Sequence, residues 1–324
     1  MIKLEDIKKP VSREMKEFDT RFKSVVSGDI PLLNLVTRFV LRKKGKQMRP
    51  LFVFLTSQLT GEITEASYTA ASLVELMHTA TLVHDDVVDE SHERRGVFSV
   101  NAIWKSKVAV LFGDYLLAKG LILAVEKKNY ELLEIVSHAF KEMSEGELLQ
   151  IQKSRSLNID IETYYDVIRM KTASLIASCT ACGAQAAGAG PEIVKKVHQM
   201  GIQIGMAFQI KDDLFDYQEH GVIGKPTGKD IKDKKFTLPL IYALHQAEPS
   251  KRKAIIKKIK NGKRSQQVVN EVVQFVTALG GIDFAKAKME EHKSAAMEIL
   301  HSFPESHARN SLRDLVEYTV SRKK

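Results

Sequence analysis

The sequence predicts an all-α protein, and three observations support this fold class. Glycine and proline number 18 and 8 among 324 residues, below their usual combined share of about 12%, so few positions can end a helix. Apolar residues recur at the spacing of amphipathic helices through most of the chain. No linker rich in proline, glycine or serine divides it. We therefore expect one large helical bundle, with residues 1–324 as a single domain.

Composition restricts the classes of function. Hydrophobic residues make up 44% and charged residues 27% of the chain, a balance that is typical of soluble globular proteins and excludes general disorder. The formal net charge of +9 suits nucleic acid, an anionic membrane surface or phosphorylated small molecules as partners. We find no apolar signal core at the N-terminus and no run near the roughly 18 apolar residues of a membrane span, and we predict a cytoplasmic protein.

The helices follow in order. Residues 11–44 predict two helices broken at residues 28–31, and residues 64–91 predict a long helix that is apolar nearly all round, as at the centre of a bundle. Further helices are predicted at about 107–126, 128–150, 160–189 and 191–218. A loop rich in glycine and lysine, residues 221–235, precedes ordinary amphipathic helices that extend to about residue 320.

Two short segments share a spacing in which two adjacent aspartates are followed, three residues later, by a third. We call them the first aspartate group (Asp85, Asp86 and Asp89) and the second aspartate group (Asp212, Asp213 and Asp216). The first and last members of each group are four residues apart and share one face of a helix. Oxygen ligands without Cys or His suit Mg²⁺ shared with a phosphorylated substrate, which would supply the missing ligands.

Ion pairing is the alternative explanation for these aspartates. Burying three carboxylates without partners costs several kcal/mol, so a purely structural role requires cations, and Arg94 and Arg95 follow the first group. The second aspartate group would need the same compensation again. The repetition favours metal binding.

Two basic segments are compatible with phosphate binding. Gly45 followed by Lys46 and Arg49 places two cations beside a backbone turn, which can hold a diphosphate; the alternative is a solvated helix end. The loop at 221–235 contains Lys225 and Lys235 and directly follows the second aspartate group, as a mobile lid over a phosphate would. Taken alone it is an ordinary solvated loop.

Two other segments favour structural explanations. Cys179 and Cys182 form the only Cys-x-x-Cys pair and lack the βαβ pattern of a thioredoxin, so we interpret them as small core residues rather than a redox or zinc site. The lysine-rich residues 257–264 contain no aromatic side chain. They therefore favour a solvated face over nucleic-acid binding.

Taken in order, the motifs resemble those of the trans-isoprenyl diphosphate synthases over about residues 40–240. Besides the two aspartate groups and the lid, they are Gly45-Lys46-x-x-Arg49-Pro50, His78, Arg94-Arg95-Gly96, Gly113-Asp114, Lys171-Thr172 and Phe208-Gln209. One departure is Lys44, where the family often has a second glycine. The resemblance implies a bundle around a central cavity, of the isoprenoid synthase type, with the aspartate groups facing each other across its mouth, and a homodimer.

The resemblance also implies a role for each motif. The six aspartates would hold three Mg²⁺ ions against the diphosphate of an allylic substrate. The cations that would pair with this diphosphate are Arg94, Lys171, Lys225 and Lys235. The residues that would bind isopentenyl diphosphate are Lys46, Arg49, His78 and Arg95. Thr172 and Gln209 would lie beside the developing allylic cation.

The implied reaction joins isopentenyl diphosphate to an allylic diphosphate, such as farnesyl diphosphate, through an allylic carbocation. Metal ions and fixed cations stabilise the leaving diphosphate more than the ground state. The sequence shows no dedicated base, so we expect the released diphosphate to take the proton. Closure of the lid would keep water from the cation.

The long helix also predicts the length of the product. Residues four, five and eight before Asp85 lie about 6 to 12 Å below the metal site, and they are Thr81, Ala80 and Met77. Short-chain members of the family have bulky aromatic residues in this layer. The two nearest residues here are small, so we predict a hexaprenyl to nonaprenyl product of the kind used as a quinone side chain. Candidates for the tunnel floor are Leu117, Leu121 and Leu123.

Several alternatives stay open at this point. A geranylgeranyl or farnesyl diphosphate synthase would share every motif. A terpene cyclase normally uses Asn, Ser and Glu at its second metal site, and a regulatory subunit tends to lose its aspartates. A nucleic-acid-binding protein would leave the buried aspartates unexplained, so we expect no nucleic-acid partner. We do expect a weak association with a membrane surface for product release.

Overall fold

The computed structural model describes residues 3–42, 45–94, 96–156, 160–217, 228–232, 235–261 and 265–321. Within these ranges the chain is almost wholly helical, which confirms the all-α prediction. A short two-stranded hairpin is the exception in the described part of the chain.

The first helices are α1 (Leu4–Lys8), α2 (Ser12–Val26), α3 (Pro31–Arg42), α4 (Met48–Thr60) and α5 (Glu65–Val88). The predicted break at residues 28–31 is confirmed. Proline suits the first turn of α3 because its φ is fixed near the helical value and it lacks only an N–H that would be unpaired. The Asn34 amide also donates to the Gly28 carbonyl at 2.6 Å, which closes the turn.

A hairpin that was not predicted from the sequence lies between α5 and the next helix. Its strands, β1 (Glu93–Arg94) and β2 (Val97–Phe98), pair antiparallel, and Gly96 supplies a φ of +70° in the turn. Helix α6 (Val100–Glu126) follows, capped by the Ser99 hydroxyl, which accepts the Ala102 N–H. Its predicted start near 107 lies just beyond Lys105, where a φ of 69° kinks the helix.

The remaining elements are helices of four to 27 residues. They are α7 (Tyr130–Ser156), α8 (Ile161–Ile168), a π-helical turn (Arg169–Ala173), α9 (Ser174–Ala186), α10 (Pro191–Phe215), α11 (Lys229–Lys232), α12 (Leu238–Gln246), α13 (Pro249–Asn261), α14 (Gln266–Ala278), α15 (Gly281–His301) and α16 (His307–Ser321). The helix predicted at 160–189 is therefore interrupted by the π-helical turn.

The chain divides into two compact units. Unit 1 comprises Met1–His138, Ser178–His198 and Leu300–Leu315, and unit 2 comprises Ala139–Ala177, Gln199–Ile299 and Val316–Lys324. In unit 1, α5 is buried on most of its surface, as its apolar sequence predicts. In unit 2, α8, α10, α12 and α14 contribute to one apolar core. The single domain stays a prediction.

Helix α6 is more apolar than the sequence analysis allowed. Its most apolar 18-residue window has a mean hydropathy of 1.9, so length and composition alone would let it cross a membrane. The expectation of no such stretch was wrong because it looked for an uninterrupted apolar run. Asp114 and Lys119 interrupt the run in α6, but the mean hydropathy of the window stays high. Helices α14 and α15 meet at an angle of 68°, and they reach a similar composition only when the two are taken together. Core helices of soluble proteins can have the same composition.

Candidate active site

The first aspartate group lies at the end of α5, in unit 1. Asp85 and Asp89 are exposed, whereas Asp86 is buried, with a relative exposure of 4%. The Asp89 N–H donates to the Asp85 carbonyl at 2.8 Å, so the helical turn that places both carboxylates on one face is intact. Two of the three carboxylates are therefore accessible to a cation.

The Gly113-Asp114 motif lies beside this group. The His84 ring occupies the space that a side chain at position 113 would fill, so Gly113 allows α6 to approach α5 closely. The Nε2 atom of His84 lies 3.2 Å from the Val110 carbonyl oxygen and 3.4 Å from a carboxylate oxygen of Asp114. Asp114 thus helps to hold the residue next to Asp85.

The predicted isopentenyl diphosphate residues in unit 1 differ in burial. Lys46 is exposed, Arg49 is half-buried in the first turn of α4, and His78 on α5 is buried. Burial raises the pKa of the Cys179 thiol to about 12, and nearby charges modulate this pKa: Arg49 lowers it and Glu75 raises it. Arg49 and Glu75 therefore both lie near this part of α9.

Arg94 and Arg95 are two further residues that were predicted to bind the diphosphates. Arg95 lies outside the described residues, and for Arg94 the structure describes only the backbone, in β1.

The proposed tunnel residues lie on the part of α5 that faces the interior. Met77 and Ala80 are buried and Thr81 is half-buried. A Cβ built on Gly120 of α6 would lie 3.5 Å from the Met77 Cγ, so the two helices pack closely at this level. Among the candidate floor residues, Leu117 and Leu123 are half-buried and Leu121 is 45% exposed. Which of them forms the floor stays a prediction.

The second aspartate group, in unit 2, repeats the burial pattern of the first. Asp212 and Asp216 are half-buried, and Asp213 is 4% exposed. The Tyr164 hydroxyl donates to Oδ2 of Asp213 at 2.6 Å, and the Gln209 amide donates to its Oδ1 at 2.9 Å. Burial raises the pKa of Asp213 to about 7, against the opposing effect of these two hydrogen bonds.

Thr172 and Gln209 contact each other. The Thr172 hydroxyl donates to Oε1 of Gln209 at 2.8 Å, which extends the contacts of Asp213 into a hydrogen-bonded chain from Thr172 through Gln209 and Asp213 to Tyr164. The first three of these residues were predicted from the sequence, whereas Tyr164 was not. A tyrosine within the apolar pattern of a helix gives no signal that separates it from a core residue.

Lys171 and Thr172 lie in the π-helical turn, which adds one residue to a helical turn and often occurs at functional sites. Two glycines of unit 2 allow neighbouring helices to pack against it. A Cβ on Gly146 of α7 would lie 3.0 Å from the Lys171 backbone nitrogen, and a Cβ on Gly205 of α10 would lie 2.7 Å from the Ala173 Cβ. The turn is therefore packed tightly from two sides.

Helix α7 also positions the Lys171 side chain. The ammonium group pairs with the Glu147 carboxylate and donates to Oε1 of Gln150 at 3.1 Å. No role was predicted from the sequence for Glu147 or Gln150. The i, i+3 spacing of Glu147 and Gln150, which places both on one helix face, was the signal available.

The described end of the predicted lid is attached to the residues that directly follow α10. The Asp230 backbone N–H donates to the Asp216 carboxylate, and the hydroxyls of Tyr217 and Thr237 lie 2.7 Å apart. The Nζ of Lys235 lies 3.9 Å from an Asp230 carboxylate oxygen. Lys225 lies outside the described residues, and lid closure stays a prediction.

The donor chemistry fits a hard divalent cation. The exposed pair Asp85 and Asp89 and the half-buried pair Asp212 and Asp216 offer only carboxylate oxygens, which Mg²⁺ prefers. Among the described residues, no group of three or more His, Cys, Asp or Glu side chains could hold a metal ion by itself. This is compatible with a substrate that supplies further ligands. Cys179 and Cys182 are both buried, as core residues would be.

Comparisons with known proteins agree with the motifs. The family model described as polyprenyl synthetase matches residues 30–276. The chain is 32% identical to the octaprenyl diphosphate synthase of Escherichia coli (strain K12) over 320 residues, 98% of this chain and 99% of that protein.

Solved structures share the fold over nearly the whole chain. A polyprenyl synthase from Caulobacter crescentus CB15, complexed with calcium and isoprenyl diphosphate, has a TM-score of 0.90 and 29% identity, covering 99% of this chain and 98% of that one. A geranylgeranyl pyrophosphate synthase from Bacteroides thetaiotaomicron has a TM-score of 0.83 and 37% identity, covering 98% of each.

Proposed function

The chain belongs to the polyprenyl synthetase family, and from this membership we infer that it is a trans-polyprenyl diphosphate synthase. It condenses isopentenyl diphosphate with an allylic diphosphate such as farnesyl diphosphate and extends the chain by repeated additions. The observation that carries this conclusion is the match to an octaprenyl diphosphate synthase over 98% of the chain. All six aspartates that the family uses are present.

We propose that the two aspartate groups together bind three Mg²⁺ ions. The direct ligands that we propose are Asp85, Asp89, Asp212 and Asp216, because their side chains are exposed or half-buried. The buried Asp86 and Asp213, which the sequence analysis also assigned to the metal, would support them. When bound, Mg²⁺ would stabilise the negative charge of the departing diphosphate.

Basic side chains of this chain would bind the two diphosphates. We propose that the allylic diphosphate is bound by Arg94, Lys171, Lys225 and Lys235, and isopentenyl diphosphate by Lys46, Arg49, His78 and Arg95. Support for one of these roles comes from Lys171, whose ammonium group is already oriented by Glu147 and Gln150. A fixed cation loses little freedom when the diphosphate leaves, so it stabilises the transition state more than a mobile one.

Oxygen atoms of Thr172 and Gln209 would face the allylic cation. Their contact at 2.8 Å holds both side chains in one orientation, which supports this role. The released diphosphate would take the proton that the condensed product loses. Closure of the loop at 221–235 would exclude water from the cation.

We propose a product of hexaprenyl to nonaprenyl length. The absence of a bulky side chain at Ala80 and Thr81 supports it, since an aromatic ring at either position would fill the path of the tail. A geranylgeranyl product is the second candidate, because a geranylgeranyl pyrophosphate synthase is 37% identical to this chain.

A homodimer is the oligomeric state that we propose. One face of α6, which also carries the exposed Asp114, exposes several large apolar side chains: Ile103, Val110, Leu111, Leu121, Ile122 and Val125. Apolar side chains gathered on an exposed face, with polar residues beside them, often mark an interaction surface. A second copy of the chain could cover it through a two-fold interface.

We further propose a cytoplasmic enzyme that associates weakly with membrane surfaces and binds no nucleic acid. Helix α13 has no acidic residue and exposes several lysines, which would attract anionic lipids. They are Lys251, Lys253, Lys257, Lys258 and Lys260. Such contact would help to release a long apolar product into the bilayer.

One experiment tests the activity and the length of the product together. The purified chain is incubated with farnesyl diphosphate, labelled isopentenyl diphosphate and Mg²⁺, and the dephosphorylated lipids are separated by size. We expect Mg²⁺-dependent products of six to nine prenyl units. Products that stop at four units would favour the geranylgeranyl alternative, and the formation of cyclic hydrocarbons would contradict a synthase.

A further inference from the structure

The hydrogen-bonded chain from Thr172 to Tyr164 has a defined direction. The Gln209 amide nitrogen donates to Asp213 at 2.9 Å, so its NH₂ group is turned toward that carboxyl group. The carbonyl oxygen of the amide then points the other way. It can only accept, so the Thr172 hydroxyl must donate to it, at 2.8 Å. The orientation of each member follows from that of Asp213.

Tyr164 fixes Asp213. Its hydroxyl donates to the second carboxylate oxygen at 2.6 Å, and both side chains are 96% buried within unit 2. A buried carboxylate that lost one of its two donors would be free to rotate or to take the Gln209 amide in another geometry. The tyrosine itself is held by the core of unit 2, where its ring packs edge-on against Tyr165 at a centroid distance of 5.7 Å.

We propose that Tyr164 is a positioning residue of the condensation, which acts through Asp213 on the orientation of Gln209 and Thr172. With the Thr172 proton directed to Gln209, the lone pairs of the hydroxyl and the carbonyl oxygen of the amide stay available to the allylic cation. The proposal rests on the proposed function, in which these two residues flank that cation. It also gives Asp213 a task other than metal binding.

The test compares two substitutions that each remove one hydroxyl. Tyr164→Phe removes the donor to Asp213. The neighbouring Tyr165→Phe is the control, because Tyr165 is half-buried and its hydroxyl is not part of the hydrogen-bonded chain from Thr172 to Tyr164. We expect Tyr164→Phe to lower kcat about tenfold, the effect of one buried hydrogen bond, with the KM values for both substrates unchanged. We expect Tyr165→Phe to match the parent.

Repeating the substitution in a Gln209→Ala variant distinguishes a positioning role from general damage to the site. In Gln209→Ala, Tyr164→Phe should cause no further loss of kcat, since the residue through which it acts is gone. An equal loss in both backgrounds, or identical kcat values for the two tyrosine variants, would overturn the proposal.

Hydrogen exchange of the Gln209 side-chain amide, followed by NMR, tests the proposal without turnover. We expect exchange at least about tenfold faster in Tyr164→Phe than in the parent and in Tyr165→Phe. Unchanged exchange would contradict the inference whether or not the enzyme is active. A parent chain that makes no prenyl diphosphate, together with accelerated exchange in Tyr164→Phe, would contradict the proposed function alone.

Discussion

Gly205 of α10 lies directly against Ala173, the last residue of the π-helical turn, and a Cβ at position 205 would lie 2.7 Å from the Ala173 Cβ. Any side chain at this position must move either α10 or the turn. Gln209 lies one helical turn further along α10, and Thr172 immediately precedes Ala173. The glycine thus sets the separation across which these two side chains form their hydrogen bond.

Gly205→Ala should therefore reduce both stability and activity. Overpacking a close helix contact costs about 1 to 3 kcal/mol, and we expect a lower midpoint of urea denaturation together with a lower kcat. Gly190→Ala is the control, because a Cβ there would meet no atom within 4 Å. Equal midpoints and rates for the two variants would show that the close contact does not limit the site.

Asp89→Asn tests the first aspartate group. Loss of a metal ligand removes several kcal/mol of transition-state stabilisation, so we expect the single-turnover rate to fall by about 10³-fold. Excess Mg²⁺ should restore part of the loss. The matched control, Glu90→Gln, removes the same charge from the next residue, which is also exposed. A similar fall in both variants would indicate a general effect of charge.

Ala80→Tyr tests the tunnel. The ring should block the path of the tail, and we expect the product length to shorten toward three or four prenyl units when the lipids are sized. Because Ala80 is fully buried, the larger side chain also threatens folding. Thr81→Phe, at a half-buried position, provides a second variant. If folded, active variants at both positions make products of the parental length, the tunnel assignment is wrong.

The two thiols should be inert in the folded protein. Burial raises the pKa of Cys179 to about 12 and that of Cys182 well above its usual value, so neither forms the reactive thiolate at pH 8. We expect a disulfide reagent such as DTNB to label both only after denaturation, when the ordinary pKa near 8.5 returns. Fast labelling of the native chain would contradict the assigned burial.

The same shifts predict how stability depends on pH. A thiol whose folded pKa lies above its unfolded pKa stays protonated in the folded state while the unfolded chain ionises. The stability that this difference contributes is complete below about pH 8.5 and is lost as the pH rises toward 12. Replacing both thiols by alanine should flatten this part of the profile, as measured by urea denaturation. An unchanged slope would contradict the prediction.

The fold class and most helices could be predicted because they follow from periodicity and from scarce helix breakers. The aspartate groups could be found because carboxylates at helical spacing in an apolar helix need a chemical explanation. Tyr164, Glu147 and Gln150 were missed because each looks ordinary in its own helix. Their roles arise from partners 21 to 49 residues away in the chain.

The geometry of Lys171 and Thr172 was missed for a different reason. Their helix has an apolar pattern that continues through residues 160–189, and a single additional residue in one turn hardly disturbs such a pattern. The π-helical turn depends on how the flanking helices pack, which local propensity does not determine.

A π-helical turn also keeps distant side chains in phase. Tyr164 and Thr172 are eight residues apart, which in a regular helix is about 800° of rotation and would point them about 80° apart. The extra residue that the turn takes up reduces this to nearly two full rotations, so both side chains can face α10. A change that made the turn regular without altering its length would keep every motif and still lose the contact that joins them.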